Sequence, residues 1–211
     1  MERGRKQADL ELLKRAAREG HIRLKYLDET GFCLWSGLAY SWSIMGHQKR
    51  QEQTGTRGRR LSLVGVWEPG IGMTYALALG SINSARYIKF MEAQARQAQR
   101  RLRSKGQFTV IVQDNASTHK SKAVQACLPR WEEMGLVFFQ LPPYCSEMNP
   151  IEIEWGQIKA YGIRGRMFEN EYDLALAVIS SVRARGQSAA YRIDRWNFQT
   201  RRLIRSSLLA S

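Results

Sequence analysis

The alternation of apolar and polar positions along the chain predicts a series of helices and strands. Residues 8–19 place apolar side chains at helical spacing and predict a short amphipathic helix. Residues 22–28 alternate in the manner of a strand, and Asp28 is the last residue of that pattern. The Thr-Gly pair at 30–31 predicts a turn. We therefore expect 32–35 to begin the return strand of a hairpin.

The middle of the chain alternates further strands with helices. Short apolar runs predict strands at 61–67, 73–79, 108–112 and 136–140. Helical spacing predicts helices at 84–103, with Ser84 as N-cap, at 121–134, interrupted near Pro129, and at 150–160. The last segment, 166–211, is expected to form two helical stretches rich in arginine. This order of elements indicates one mixed α/β domain.

Composition and charge narrow the function classes. A chain of 211 residues is long enough for one well-buried domain with extra elements. It lacks an apolar stretch of membrane-spanning length and a secretion signal at its start, which favours a cytoplasmic protein. Its 33 Lys and Arg exceed its 19 Asp and Glu, giving a net charge of +14 that indicates a polyanionic partner such as nucleic acid. Three scattered cysteines predict neither a disulfide framework nor a zinc site.

Three carboxylates stand at positions where α/β sheets commonly build their sites. Asp28 ends the first predicted strand, Asp114 follows the buried strand 108–112, and Glu152 opens a predicted helix. Each acid alone could simply cap a turn or a helix start. Brought together, they would repel one another unless cations held them, and hard oxygen ligands select Mg²⁺ or Mn²⁺. Two such ions about 3.5–4 Å apart would suit an in-line displacement at phosphorus.

Three segments that contain these acids resemble the signature blocks of a known family. The segments are YLDETGF at 26–32, QDNASTHKS at 113–121 and LPPYCSEMNPIEIEWGQIK at 141–159. They are similar to the blocks of mariner-type DDE transposases, and most similar to the bacterial insertion-sequence branch of that superfamily. The resemblance covers about residues 22–165 and implies an RNase H-like fold, with a mixed five-stranded sheet flanked by helices.

The resemblance also implies a chemistry and a set of partners. It assigns Asp28, Asp114 and Glu152 as the catalytic and metal-binding acids, holding two Mg²⁺ or Mn²⁺ ions. The implied reaction is cleavage at the terminal inverted repeats of a transposon, followed by joining of the freed 3′-hydroxyl to target DNA, typically at TA. The implied partners are double-stranded DNA and a second copy of the chain bound with it. The expected location is the bacterial nucleoid.

The resemblance further suggests how the chain is divided. We expect a helical lead-in at 1–21, the catalytic domain at 22–165 and a basic helical extension at 166–211. The lead-in is too short for the helix-turn-helix region of a complete transposase of this type. A separate subunit or an upstream reading frame is therefore expected to supply DNA recognition.

Basic residues around the acids are the candidates for contact with the DNA backbone, although a solvated surface is the alternative for each segment. The candidates are Lys49, Arg50, Arg57, Arg59, Arg60, His119, Lys120, Lys159 and Arg164. For His119, an ordinary hydrogen bond at a helix start is favoured over contact with a phosphate or a metal-bound water. Two further acids are weaker candidates. Glu29 is expected to be solvated or to support the site indirectly, and Glu154 cannot share a helix face with Glu152.

Two other functions remain open on the sequence. The chain could be a catalytically inactive or domesticated transposase that binds DNA and assists assembly. It could also be an RNase H-like nuclease that uses the same metals on RNA–DNA hybrids or DNA junctions.

Overall fold

In a computed structural model of the chain, the described residues contain six strands, which form one mixed sheet with helices on both faces. The structure describes residues 2–35, 44–47, 57–143 and 145–198. The strands are β1 (Ile22–Phe32), β2 (Leu61–Glu68), β3 (Gly72–Leu79), β4 (Phe108–Gln113), β5 (Leu136–Gln140) and β6 (Arg192–Trp196). Their order across the sheet is β5-β4-β1-β2-β3-β6. The β1–β2 and β2–β3 pairs are antiparallel, whereas β1–β4, β4–β5 and β3–β6 are parallel.

The helices divide between the two faces of the sheet. They are α1 (Glu2–Arg18), α2 (Ser84–Lys105), α3 (Lys122–Gln125), α4 (Leu128–Glu133), α5 (Ile151–Gly162) and α6 (Glu171–Ser188), with a short 3-10 helix at Ser146–Met148. Because side chains alternate along a strand, each strand contributes to two cores. Tyr26 and Leu63 pack with α1, α5 and α6, whereas Leu27 and Val64 pack with α2, α3 and α4.

The first strand is longer than the sequence pattern predicts. The expected turn at 30–31 is wrong, because β1 continues through it and pairs Thr30 with Leu63 and Gly31 with Ser62 of β2. Consequently Asp28 lies inside a strand and not at its end. The antiparallel partner of β1 is β2, which follows a long intervening segment, and the predicted return strand at 32–35 is replaced by an isolated bridge from Trp35 to Met167.

The C-terminal segment also differs from expectation. It contains one described helix, α6, and then the strand β6, which pairs with β3 at the edge of the sheet. The predicted count of five strands is therefore one short, and the second predicted helical stretch is wrong over Arg192–Trp196. The N-cap of α2 is Asn83, whose side chain accepts a hydrogen bond from the Arg86 amide, and not Ser84. In the described ranges, none of the helices combines the length and apolarity that crossing a membrane requires.

Candidate active site

Two of the three predicted acids are placed side by side by the register of neighbouring strands. Strands β1 and β4 run parallel, and their last pair is Tyr26 with Val112. Two residues further along each strand, this register leads to Asp28 and to Asp114. Asp28 and Asp114 therefore lie side by side near the carboxyl end of β4, on neighbouring strands in the middle of the strand order.

The third acid reaches this edge from α5. Glu152 lies in the first turn of that helix and is exposed. Together with Asp114, Asn115 and Asn149 it lines a cavity of about 290 Å³. Asp28 lies beside this group, close enough for the charges of Asp114 and Glu152 to act on its carboxyl group. The fold thus gathers the three acids that the sequence singled out around one edge of the sheet.

The Asp28 carboxyl group is half-buried and held from one side by a tryptophan. Trp155 Nε1, one turn after the start of α5, donates a 2.9 Å hydrogen bond to Asp28 Oδ2. Burial raises the pKa of Asp28 to about 7, and the negative charges of Asp114 and Glu152 add to the rise. The Trp155 hydrogen bond acts in the opposite direction. The Asp28 carboxyl group therefore ionises less readily than that of an exposed aspartate, and a nearby positive charge would favour its ionised form.

Asp114 has the opposite electrostatic setting. His119 Nδ1 lies 3.1 Å from Asp114 Oδ1 and 3.1 Å from the Asp114 main-chain oxygen, so this nitrogen acts as the donor. The Ala116 amide also donates to Asp114 Oδ1, at 3.1 Å. The hydrogen bond from His119 lowers the pKa of Asp114 most, which keeps this carboxylate ionised. One of its two oxygens is thus fixed by the loop that follows β4.

His119 is buried behind Asp114 and does not lie on the surface. Its side chain belongs to a residue that is 3% exposed, and its ring packs on that of Tyr87 with centroids 4.7 Å apart. Burial disfavours the charged ring, but the hydrogen bonds to Asp114 outweigh that effect and raise the pKa of His119. The predicted contact of His119 with DNA phosphate is therefore corrected: the ring is enclosed by protein, in keeping with the favoured interpretation of an ordinary hydrogen bond.

The two weaker acidic candidates take different positions. Glu29 is half-buried on the same face of the sheet as His119, and its Oε1 is buried with no hydrogen-bond partner. Burial raises the pKa of Glu29, while the charge of His119 lowers it. Glu154 points away from Glu152, is 4% exposed, and binds Arg185 and Tyr191. The expectation that Glu154 does not share the face of Glu152 is confirmed.

The donor atoms around the cavity fit a hard divalent cation. They are carboxylate and amide oxygens, and Asn149 Oδ1 is buried there with no hydrogen-bond partner, while its Nδ2 donates to Leu27 O at 3.0 Å. A buried oxygen without a hydrogen-bond donor is unusual, and such an oxygen can coordinate a cation. Across the described ranges, however, no three His, Cys, Asp or Glu side chains approach closely enough to enclose a metal ion. Asp114 and Glu152 line the cavity, Asp28 lies beside it, and the three carboxyl groups do not meet at one point.

The predicted DNA-contacting cations fall into three groups. Arg57, Arg60 and Lys159 line a cavity of about 660 Å³ beside Glu29. Arg59, Lys120 and Arg164 are exposed, and the Arg59 amide donates to Glu171 Oε1 at 2.8 Å. Lys49 and Arg50 lie outside the described residues. Cationic side chains therefore adjoin the candidate acids beside the last residues of β1.

The residues that position the acids were not predicted from the sequence. Trp155, Gly65 and Asn149 were not among the predicted site residues. Gly65 pairs with Asp28 across β1 and β2, and a side chain there would collide with the Trp155 ring. The only available signal was that Asn149 and Trp155 belong to the third signature block. Gly65, in contrast, lies in none of the three blocks.

Comparisons with known proteins agree with this fold. The fold defines the class, an RNase H-like domain built on a mixed sheet with helices on both faces. The chain belongs to the DDE superfamily endonuclease family, whose match covers residues 23–175, more than half of the chain. No curated protein sequence matches the chain.

Solved structures of Mos1 mariner transposase share the fold. The Mos1 mariner paired-end complex with Mn matches with a TM-score of 0.59 and 18% identity over 89% of this chain and 60% of that one. The Mos1 strand transfer complex gives a TM-score of 0.60 and 18% identity, over 88% of this chain and 57% of that one. The Mos1 catalytic domain gives 0.51 and 18%, with 89% and 88% covered. This chain therefore spans about three fifths of the Mos1 chains in the two complexes.

Proposed function

We propose that the chain is the catalytic part of a metal-dependent DNA transposase of the mariner type, from the bacterial insertion-sequence branch. It would cut phosphodiester bonds at transposon ends and join the freed 3′-hydroxyl to target DNA at TA sites. The observation that supports this proposal is the convergence of Asp28, Asp114 and Glu152 on one sheet edge, within the range of the DDE family match.

In this proposal the three acids hold two Mg²⁺ or Mn²⁺ ions, and Asn149 Oδ1 faces the same cavity. Bound ions of this kind stabilise the attacking and leaving oxygens of an in-line displacement at phosphorus. The chain's own contribution is to fix the acids. Trp155 restrains Asp28, and His119 restrains Asp114, so that each carboxylate keeps one oxygen directed by the protein.

The cationic residues beside the acids would bind the DNA backbone and orient the scissile bond. We propose this role for Lys49, Arg50, Arg57, Arg59, Arg60, Lys120, Lys159 and Arg164. A second copy of the chain would bind the other transposon end, and a helix-turn-helix region from another subunit or reading frame would recognise its sequence. The division into a lead-in at 1–21, a catalytic domain at 22–165 and an extension at 166–211 belongs to the same proposal, as does a nucleoid location.

The test is nicking of terminal-repeat duplexes with Mg²⁺, with Mn²⁺ and without metal, by wild type and by Asp114→Ala. Asp114 is exposed, and His119 Nδ1 keeps the Asp114 main-chain oxygen as an acceptor in this variant, so we expect Asp114→Ala to fold. Glu132→Ala, which removes another exposed acid far from the cavity residues, serves as the matched control and should cut normally. Parallel assays on RNA–DNA hybrids and DNA junctions separate a transposase from a nuclease of the RNase H or junction-resolving type. Cleavage undiminished in Asp114→Ala would exclude the proposed chemistry.

A second candidate function is a DNA-binding assembly subunit that does not cut. The observation favouring it is that, among the residues described, the acids are not drawn together into a group that encloses a metal. Salt-sensitive duplex binding with no nicking under either metal would support this candidate. Any strand transfer that requires Asp114 would eliminate it.

A further inference from the structure

A second cavity, distant from the acids, is lined by cations. It has a volume of about 280 Å³ and lies where the start of β1 faces α2. Four of its lining residues are Arg23, Lys25, Arg100 and Arg101, and none of its lining residues is acidic. Arg23 precedes Asp28 by five positions along β1, which corresponds to about 16 Å of extended strand. The cavity is therefore separate from the candidate active site.

Lys25 is the most unusual of these residues. It is 8% exposed, although lysine is almost never buried without a charged partner. Its Nζ donates to two amide oxygens, Gln97 Oε1 at 2.6 Å and Gln94 Oε1 at 3.3 Å. No carboxylate in the described part of the chain forms an ion pair with it. Neutral amide oxygens thus hold the ammonium group in place, and they do not neutralise its positive charge.

The surrounding charges do not compensate for Lys25. Glu68, the acid whose charge acts on Lys25, is engaged by Nε and Nη2 of the Arg23 guanidinium group, and Arg101 Nε donates to the neutral Gln107 at 2.8 Å. Burial lowers the pKa of Lys25 to about 8, and although Glu68 opposes this fall, Arg23, Arg101 and Arg192 contribute to it. An anion in the cavity would remove this electrostatic cost. Thr109 and Gln97, which also line the cavity, provide neutral polar groups beside it.

We propose that this cavity binds a phosphate group, with Lys25, Arg100 and Arg101 as its cationic contacts. The geometry suits a tetrahedral oxyanion, because a point charge and two guanidinium groups approach one small volume from a strand and a helix. Two sources offer this chemistry: a backbone phosphate of a DNA duplex and free inorganic phosphate. The site does not require the proposed cleavage reaction, so its test and that of the catalytic proposal can fail independently.

The first arm of the test measures inorganic phosphate binding by isothermal titration calorimetry at constant ionic strength. Lys25→Met removes the buried charge while keeping an unbranched side chain, and we expect it to weaken phosphate binding at least about tenfold. Lys105→Met is the matched control, since Lys105 is exposed on the same helix as Arg100 and does not line the cavity. Arg100 is exposed, so Arg100→Gln should fold, and it can be compared with Lys105→Met if Lys25→Met fails to fold.

The second arm measures binding of a random-sequence DNA duplex at several salt concentrations. If the phosphate belongs to DNA, Lys25→Met and Arg100→Gln each lower the salt slope by about one, whereas Lys105→Met does not. If duplex binding is unchanged but phosphate binding falls, the site takes free phosphate. The proposal is overturned if the wild type binds no phosphate and the cavity variants leave duplex binding unchanged, or if Lys105→Met matches the cavity variants in both arms.

Discussion

At the scale of single residues, the absence of a side chain at Gly65 determines how Asp28 is held. Gly65 lies directly opposite Asp28 on β2, and the Trp155 ring occupies the space above it. A Cβ atom at this position would lie 2.5 Å from the ring carbon Cη2 of Trp155. The backbone at Gly65 is hydrogen-bonded to strands on both sides and cannot shift easily, so the Trp155 ring would have to move. Its hydrogen bond to Asp28 would be lost with that movement.

We therefore predict that Gly65→Ala lowers metal-dependent nicking about tenfold or more, with a loss of about 1–3 kcal/mol in unfolding free energy from overpacking. Nicking rates, denaturant unfolding and the tryptophan emission spectrum measure these effects. Gly156→Ala is the control, because nothing lies within 4 Å of a Cβ there and alanine favours a helix. If Gly65→Ala cut as fast as the control, Trp155 would not be positioning Asp28.

A second residue-scale prediction concerns His119. Its Nδ1 is the donor to Asp114, so the amide nitrogen of asparagine can replace it, whereas that of glutamine corresponds to Nε2. We expect His119→Gln to reduce nicking about 10- to 100-fold, the effect of losing a hydrogen bond to a charged group, and His119→Asn to reduce it less. Steady-state nicking at saturating metal compares the variants. Equal losses in both would indicate that the ring matters for packing on Tyr87 alone.

The proximity of Asp28, Asp114 and Glu152 was predictable from sequence, but the residues that hold these acids in place were not. Asp114 follows an apolar run that only a buried strand explains, and its position was predicted correctly. Asp28 was placed at a strand end because Thr30 and Gly31 have the local composition of a turn. Their pairing with Leu63 and Ser62 is a contact between distant segments, and local composition contains no information about it. The direction of the Trp155 side chain is undetermined for the same reason.

At the scale of elements, α5 presents two acids in opposite directions. Glu152 faces the cavity, whereas Glu154 anchors the helix to α6 and to the residue before β6. Arg185 donates to both Glu154 oxygens, at 2.7 and 2.8 Å, and Tyr191 Oη donates at 2.7 Å. Gly162 lets the same two helices approach closely, since a Cβ there would overlap Ser181. These contacts fix the orientation of α5 and with it the position of Glu152.

We predict that Glu152→Gln changes nicking activity and that Glu154→Gln changes the free energy of unfolding. Glu152→Gln should abolish nicking and leave stability unchanged, because the side chain is exposed. Glu154→Gln should destabilise the fold by about 1–3 kcal/mol at pH 7, since it leaves Arg185 without its charged partner. Denaturant unfolding and nicking assays on both variants measure the contrast. Each variant is the control for the other, and a stable Glu154→Gln protein would contradict the anchoring role.

The stability effect of Glu154 should also depend on pH. Burial acts to raise the pKa of Glu154, but the hydrogen bonds from Arg185 and Tyr191 and the Arg185 charge lower it overall. A folded-state pKa below the unfolded value means that the ionised group stabilises the fold above the unfolded pKa, about 4.3. That contribution is lost as pH falls through the folded-state pKa. The stability difference between wild type and Glu154→Gln should therefore shrink between pH 7 and pH 3, and a constant difference would contradict this assignment.

The prediction of β6 failed because charge hid the strand pattern. Strand β6 has the sequence RIDRW, in which charged residues outnumber apolar ones, and it lies at the sheet edge against β3. An edge strand with partly exposed side chains has no continuous apolar run, so the segment resembled a basic helix. The strands β2, β3, β4 and β5 were placed correctly because their buried faces require such runs.

At the scale of the whole molecule, a group of cations adjoins the candidate acids. The acids lie near the carboxyl end of β4 in the middle of the sheet, and Arg57, Arg60 and Lys159 line a neighbouring cavity. The guanidinium group of Arg60 packs closely over Gly31 of β1, three residues beyond Asp28. With a net charge of +14, the chain attracts a polyanion from every side, but only cations next to the acids can direct a phosphodiester bond toward them.

General attraction by the net charge and directed contact by single cations can be separated by comparing Arg60 with an exposed arginine elsewhere. If Arg60 contacts the DNA backbone, Arg60→Gln should reduce the slope of log affinity against log salt by about one and lower nicking at subsaturating DNA. Fluorescence anisotropy with a terminal-repeat duplex at four or more salt concentrations measures the slope. Arg96→Gln removes the same charge from the exposed face of α2, outside the cavities described above, and should leave the slope unchanged. Equal changes in both variants would show that the net charge alone, and not the cations beside the acids, accounts for DNA binding.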